Sequence, residues 1–129
     1  MHAVGTIPGG VTLLDSDESL DLAALASAYG AGRISPSDVV RGVLDRIAGR
    51  GDDKVWISIL PREDLLSLAK RLESAGPAGK PLYGVPFAIK DNIDLAGHPT
   101  TAACPAYAYT PDKSATGEKI LSLLKDQLK

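Results

Sequence analysis

Lys90 is the residue whose position could carry chemistry. It ends the apolar run Val85-Pro86-Phe87-Ala88-Ile89 and precedes Asp91-Asn92. Alternation in that run puts Val85, Phe87 and Ile89 on one side of an extended chain, with Pro86, Ala88 and Lys90 on the other. If the run is a strand, Lys90 lies at its carboxyl end, where open α/β sheets place their ligand crevices. A lysine there can serve as a base, as an electrostatic clamp, or as a solvated strand end. By itself the last reading has precedence, because lysine side chains are mostly exposed. A free lysine has a pKa of about 10.4 and is protonated at neutral pH. It accepts a proton only when neutral, a form favoured by burial and by suitable neighbours.

The residues after Lys90 shift that balance. Residues 91–104 form a long stretch with little helix or strand signal and many small side chains. Ordered loops of that length are often functional. Asp91 and Asp94 can be read as an acid pair or as metal ligands, but turn and loop hydrogen bonding is the simpler role. His98 could touch a substrate, although a solvent-exposed loop histidine is the plainer reading. Cys104 has no histidine placed to activate it, so small buried packing is favoured over nucleophilic attack. Thr100 and Thr101 either line a pocket or bond the loop backbone. Two isolated histidines and one cysteine do not make a zinc site.

The elements that must hold this loop are legible as follows. Ser16 or Asp17 can cap a helix from about residue 19 to 29, with Leu20, Leu22, Ala24, Leu25 and Ala28 on its apolar face and Gly30 and Gly32 at its end. Ser35-Pro36-Ser37-Asp38 opens a second helix: Ser35 as N-cap, Pro36 in the first turn and Asp38 reaching back. Val39, Val40, Val43, Leu44 and Ile47 follow at helical spacing, and the helix stops near Gly49-Arg50-Gly51. Val55-Trp56-Ile57-Ser58-Ile59-Leu60 reads as a strand and residues 62–74 as a third helix. Residues 75–81 form a surface loop, and 85–90 a second strand covered on both faces. A last helix, capped by Ser114 or Thr116, carries Ile120, Leu121, Leu124 and Leu128. This order predicts an α/β fold in which helices pack on a partial mixed sheet. So thin a sheet leaves apolar faces that belong to a larger domain or to a partner.

GVPFAIKDNIDLAGHPTTAACPAYAYTP, which begins at Gly84, resembles the region around the catalytic lysine of the amidase signature family. The likeness extends over roughly residues 20–116. It implies an N-terminal portion of the amidase signature fold and a Ser–Ser–Lys triad in which Lys90 is the base. In that chemistry the neutral lysine takes a proton from a bridging serine, which activates the nucleophilic serine for acyl transfer. Within the family, the upstream VWIS-LP stretch (residues 55–61) is similar to the allophanate hydrolases. These degrade allophanate, a product of urea, to ammonia and carbon dioxide, and the resemblance implies no metal or organic cofactor. A sister amidase acting on another substrate is the alternative within the family.

The resemblance also has an edge. The family carries both serines in a glycine- and serine-rich segment well downstream of the lysine, and this sequence contains none. Ser114 sits at a helix-capping position and Ser122 within the last helix. The expectation is a flexible leader over residues 1–15, followed by a truncated N-terminal part of an amidase domain over residues 16–129, inactive by itself. A non-catalytic module that binds or regulates a partner is the rival reading, with a homo-oligomer or a complementing chain covering the apolar faces.

Composition narrows the classes further. The 129 residues are 44 % hydrophobic and 23 % charged, ordinary values for a globular domain. With one Trp, one Phe and four Tyr, the core must be largely aliphatic. A net charge of −2 without a basic stripe argues against nucleic acid as a partner. No apolar run is long enough to span a bilayer, and a single cysteine fits a reducing, cytoplasmic setting.

Overall fold

The computed structural model describes residues 19–115, and the expected leader and last helix lie outside them. Three α-helices appear in order: α1 (Leu22–Gly30), α2 (Pro36–Arg50) and α3 (Arg62–Ala75), with a short 3-10 turn at Pro105–Tyr107. The chain divides into two compact units, with the boundary between Phe87 and Ala88.

In the first unit each helix start has a local cause. Asp21 caps α1, its carboxylate accepting from the Ala24 amide at 2.7 Å. Ser16 and Asp17, the expected caps, lie outside the described residues, and Ser19 and Leu20 are not helical. The bonds from Ala24 and from the Ser19 hydroxyl hold the Asp21 carboxyl below its ordinary pKa. α2 has the expected capping box: Ser35 accepts from the Asp38 amide, and Asp38 accepts from the Ser35 amide at 2.9 Å. Gly51 follows the helix at a φ of +68°. α3 opens after Pro61 without a side-chain cap, but Glu63 and Asp64 in its first turn suit the positive end of the helix dipole.

Leu25 and Val39, each 1 % exposed, form the centre of the core with Ala28 and Ile34. Leu20, Tyr29, Val43 and Val85 pack around them. α2 and α3 pack on each other and run antiparallel. Their opposite ends are tied by Glu73, which accepts from the Ser37 amide at 2.8 Å, and by Arg62, which donates to Asp45 at 2.6 Å. The second tie is exposed and contributes little. Burial alone would push the Glu73 carboxyl up. Hydrogen bonding from Ser37 and Ser35 and the charge of Arg41 outweigh it, so the carboxyl lies below its ordinary value.

A latch joins α1 to the segment leading out of this unit. The Tyr29 hydroxyl donates to the Gly84 carbonyl at 2.7 Å, and the Tyr29 and Tyr83 rings meet edge to face at 5.3 Å. Burial, reinforced by Tyr83, Asp38 and Glu73, pushes the Tyr29 phenol up to about 12. Gly84 has a φ of +67°, and a Cβ there would lie 2.4 Å from the Tyr29 hydroxyl oxygen. The position therefore excludes a side chain on two counts.

The expected sheet is not present among the described residues. The segments at 55–60 and 85–90 are not strands, and the β-pairing among the described residues is the isolated antiparallel bridge between Thr100 and Tyr109. The reason is pairing, not propensity: a strand exists only where a neighbouring backbone completes its ladder. Val55, Trp56, Ile57 and Ile59 are consequently exposed, and Phe87 is 82 % exposed where a covered face was predicted. Val85 is the member of its run that reaches the helical core. The architecture of the described residues is thus three helices and a loop-rich unit, without the partial sheet of an α/β layer.

Candidate active site

Lys90 lies near the start of the second unit and is exposed. Its carbonyl accepts from the Ile93 amide at 2.9 Å, which turns the chain directly after it. The next residue, Asp91, holds a distant part of the loop. The Asp91 carbonyl accepts from the Ala102 amide at 2.8 Å. Its carboxylate accepts from the Thr101 amide at 3.0 Å, from the Ala103 amide at 3.2 Å, and from the Thr101 hydroxyl. The Thr101 bonds, hydroxyl first and amide second, keep the Asp91 carboxyl below its ordinary value. The clamped backbone is unusual: Ala102 and Ala103 both take positive φ, +49° and +59°. Alanine adopts that region at a cost, and the clamp compensates it locally.

Asp94 makes the second fastening. It accepts from the Thr100 hydroxyl at 3.0 Å and the Tyr109 hydroxyl at 2.6 Å. The bond to Asp94 pushes the Tyr109 phenol up. Thr100 and Tyr109 exchange both backbone hydrogen bonds, at 2.8 and 3.1 Å. The Gly97 amide donates to the Pro111 carbonyl, and the Ala115 amide to the Asp94 carbonyl. The Ser114 hydroxyl accepts from the Ala96 amide at 2.9 Å, so it braces the loop. Tyr107 meets Tyr109 edge to face at 6.0 Å.

The structure therefore puts both aspartates to work as loop acceptors, and Thr101 bonds the loop as one of its two readings had it. Cys104 is exposed, contrary to the buried packing expected of it, because the Pro105–Tyr107 turn carries the chain through an exposed stretch. His98 is half-buried where full exposure was expected, its amide closing a turn on the Leu95 carbonyl. Among the described residues no three His, Cys, Asp or Glu side chains gather as metal ligands. Sequence reasoning missed Tyr109 as the partner of Asp94 and the left-handed pair at Ala102 and Ala103. An alanine carries no signature for that conformation. The first unit has a cleft of about 400 Å³ whose walls include Tyr29, Tyr83, Glu73 and Lys80 but not Lys90.

Lys90 thus stands at the head of a loop fastened by the loop's own carboxylates. The profile of the family described as Amidase matches residues 38–123. The chain belongs to this amidase signature family. It is 48 % identical over 75 residues to the urea amidolyase of Saccharomyces cerevisiae, a match covering 57 % of this chain and 4 % of that protein. It is 39 % identical over 92 residues to a subunit of the glutamyl-tRNA(Gln) amidotransferase of Lawsonia intracellularis, covering 70 % of this chain and 19 % of that one. Among solved structures it resembles the allophanate hydrolase of Kluyveromyces lactis, with a TM-score of 0.55 and 35 % identity over 81 % of this chain and 17 % of that chain. The chain thus spans a small part of the length of these relatives. No helix among the described residues is long and apolar enough to cross a membrane.

Proposed function

We propose that this chain is the lysine-bearing N-terminal part of an amide hydrolase of the allophanate-hydrolase kind, working in the cytoplasm on a small amide. Lys90 is the base, and the serines of the triad are supplied by polypeptide other than these 129 residues. The observation that carries this reading is the likeness to urea amidolyase and allophanate hydrolase, which extends to the fold. In the completed site Lys90 takes a proton from the bridging serine, and that serine activates the nucleophile for attack on the amide carbonyl. Exposure of Lys90 is consistent with a site still to be covered, since a neutral lysine is favoured by burial.

The 129-residue chain should release no ammonia from allophanate. Mixed with a polypeptide carrying the glycine- and serine-rich segment of a urea amidolyase, it should do so, and Lys90→Ala should remove at least 99 % of that activity, about the loss of a general base. Lys90-independent turnover in the mixture would overturn the assignment. Biuret and other small amides assayed alongside would separate allophanate hydrolysis from a sister activity, which the likeness to the amidotransferase keeps open.

A second reading, a non-catalytic module that binds a partner or a second copy of itself, is favoured by the exposed apolar side chains Val55, Ile57, Ile59, Phe87 and Ile89. Light scattering distinguishes it, because a strictly monomeric chain that captures no complementing segment would count against it.

A further inference from the structure

We propose that Asp91 is a positioning residue for Lys90. This rests on the reading of Lys90 as the base and adds what sets the direction of that base. The Lys90 side chain is exposed, so its aim depends on the backbone that carries it. That backbone is fixed on its downstream side by two devices. One is the turn closed by the Ile93 amide on the Lys90 carbonyl. The other is Asp91, which engages residues 101–103 through its carbonyl and both carboxylate oxygens. The second device links positions 10 to 12 residues apart in sequence, whereas the first spans a single turn.

The clamp also acts on strained backbone. Ala102 and Ala103 stay at positive φ while their amides donate to Asp91. The Thr101 and Ala103 amides aim at one carboxylate, while the Ala102 amide between them donates to the Asp91 carbonyl, so the chain supplies its own anion to this seat. Removing the carboxylate takes that acceptor from the Thr101 and Ala103 amides and lets the alanines relax toward ordinary geometry. The peptide between residues 90 and 91 then keeps only the carbonyl bond to Ala102 as a longer-range fixed point. Asp94 provides the comparison within the same loop: its carboxylate fastens Thr100 and Tyr109.

The test is amide hydrogen exchange and ¹⁵N relaxation on the 129-residue chain and its variants. In Asp91→Ala, exchange at Thr101 and Ala103, whose amides donate to the carboxylate, should rise at least tenfold. The backbone order parameter of Lys90 should fall with it, while Tyr109 keeps its protection. Asp91→Asn, which retains one acceptor oxygen, should recover part of both effects. Asp94→Asn should loosen Tyr109 and leave Lys90 unchanged. If Asp91→Ala disorders the whole unit, Thr101→Val replaces it, removing the hydroxyl bond and keeping the carboxylate. It should lower the Lys90 order parameter by a smaller amount. Unchanged Lys90 order in Asp91→Ala, or in Thr101→Val where that variant is needed, would overturn the proposal. So would an equal loss in Asp94→Asn. Neither result bears on whether Lys90 is the base, which the complementation assay decides separately.

Discussion

The two units are held together by different forces. Every buried apolar side chain among the described residues lies before residue 88: Leu25, Ala28, Ile34, Pro36, Val39 and Ala69. In the described part of the second unit the buried residue is Thr100, 3 % exposed, and its hydroxyl is bonded to Asp94. The first unit is an assembly of capped helices on a small aliphatic core. The second is a loop kept in shape by two carboxylates, two threonines and a tyrosine. Apolar burial tolerates small displacements, because contacts are many and non-directional. Hydrogen bonds to a carboxylate are few and directional, so they fix the geometry of the loop they fasten.

That contrast can be broken most directly at Leu25. Leu25→Ala should cost the first unit about 2–5 kcal/mol, measured by urea unfolding, and leave the amide protection of Thr100 and Tyr109 intact below the transition. Equal loss in both units would show that they share one cooperative core. Next in size is Gly84→Ala, expected to cost about 1–3 kcal/mol through the clash with Tyr29 and the positive φ. Combining it with Tyr29→Ala should recover the steric part, so the two changes should be clearly non-additive.

The second unit should respond in the opposite sense to a change of backbone freedom. Ala103→Gly relieves a left-handed alanine and should gain up to about 1 kcal/mol, read from the exchange of the Thr101 and Ala103 amides. The same substitution at Ala28, inside α1 and buried, should destabilise. The smallest expected effect is a response to acid. Glu73 and Asp91 both lie below their ordinary pKa values. Each therefore contributes stability that is present above the ordinary carboxylate range and disappears as pH falls through the lower folded value. An acid titration followed residue by residue should report a local transition at each, as it should at the Asp21 cap. Glu73→Gln should remove the one sensed at Ser37 and leave the one at Thr101.

How far the sequence could be read depended on the range of each interaction. The capping box at Ser35 and Asp38 was legible because its donors and acceptors lie within one turn of chain. So were the ends of α2 and α3 and the use of Asp91 and Asp94 as loop acceptors. The runs at 55–60 and 85–90 have the composition and alternation of strands, yet a strand also needs a partner backbone, and no local pattern reports whether one is supplied. The first helix begins at Leu22, later than its sequence suggests, because Asp21 is also a suitable cap by type and its carboxylate accepts from the Ala24 amide. At the site, Lys90 stood out by its position after an apolar run. Tyr109 did not, because its bond to Asp94 spans 15 residues of irregular chain. Cys104 was misjudged because the burial usual for a free cysteine gives way in an exposed turn.

The irregular segment between α2 and α3 has a practical consequence. Val55, Trp56, Ile57 and Ile59 are exposed on a segment that is neither helix nor strand. A protease reads its substrate in extended form, adding it to its own site as an edge strand, and a segment outside helix and ladder can take that form. Trp56 offers a chymotrypsin-like enzyme an aromatic specificity residue, so a first nick should fall there. The antiparallel helices on either side would then remain associated through their packed faces and the Glu73 bond to Ser37. Such a nicked but still folded species would appear as two bands on a denaturing gel and one peak in gel filtration.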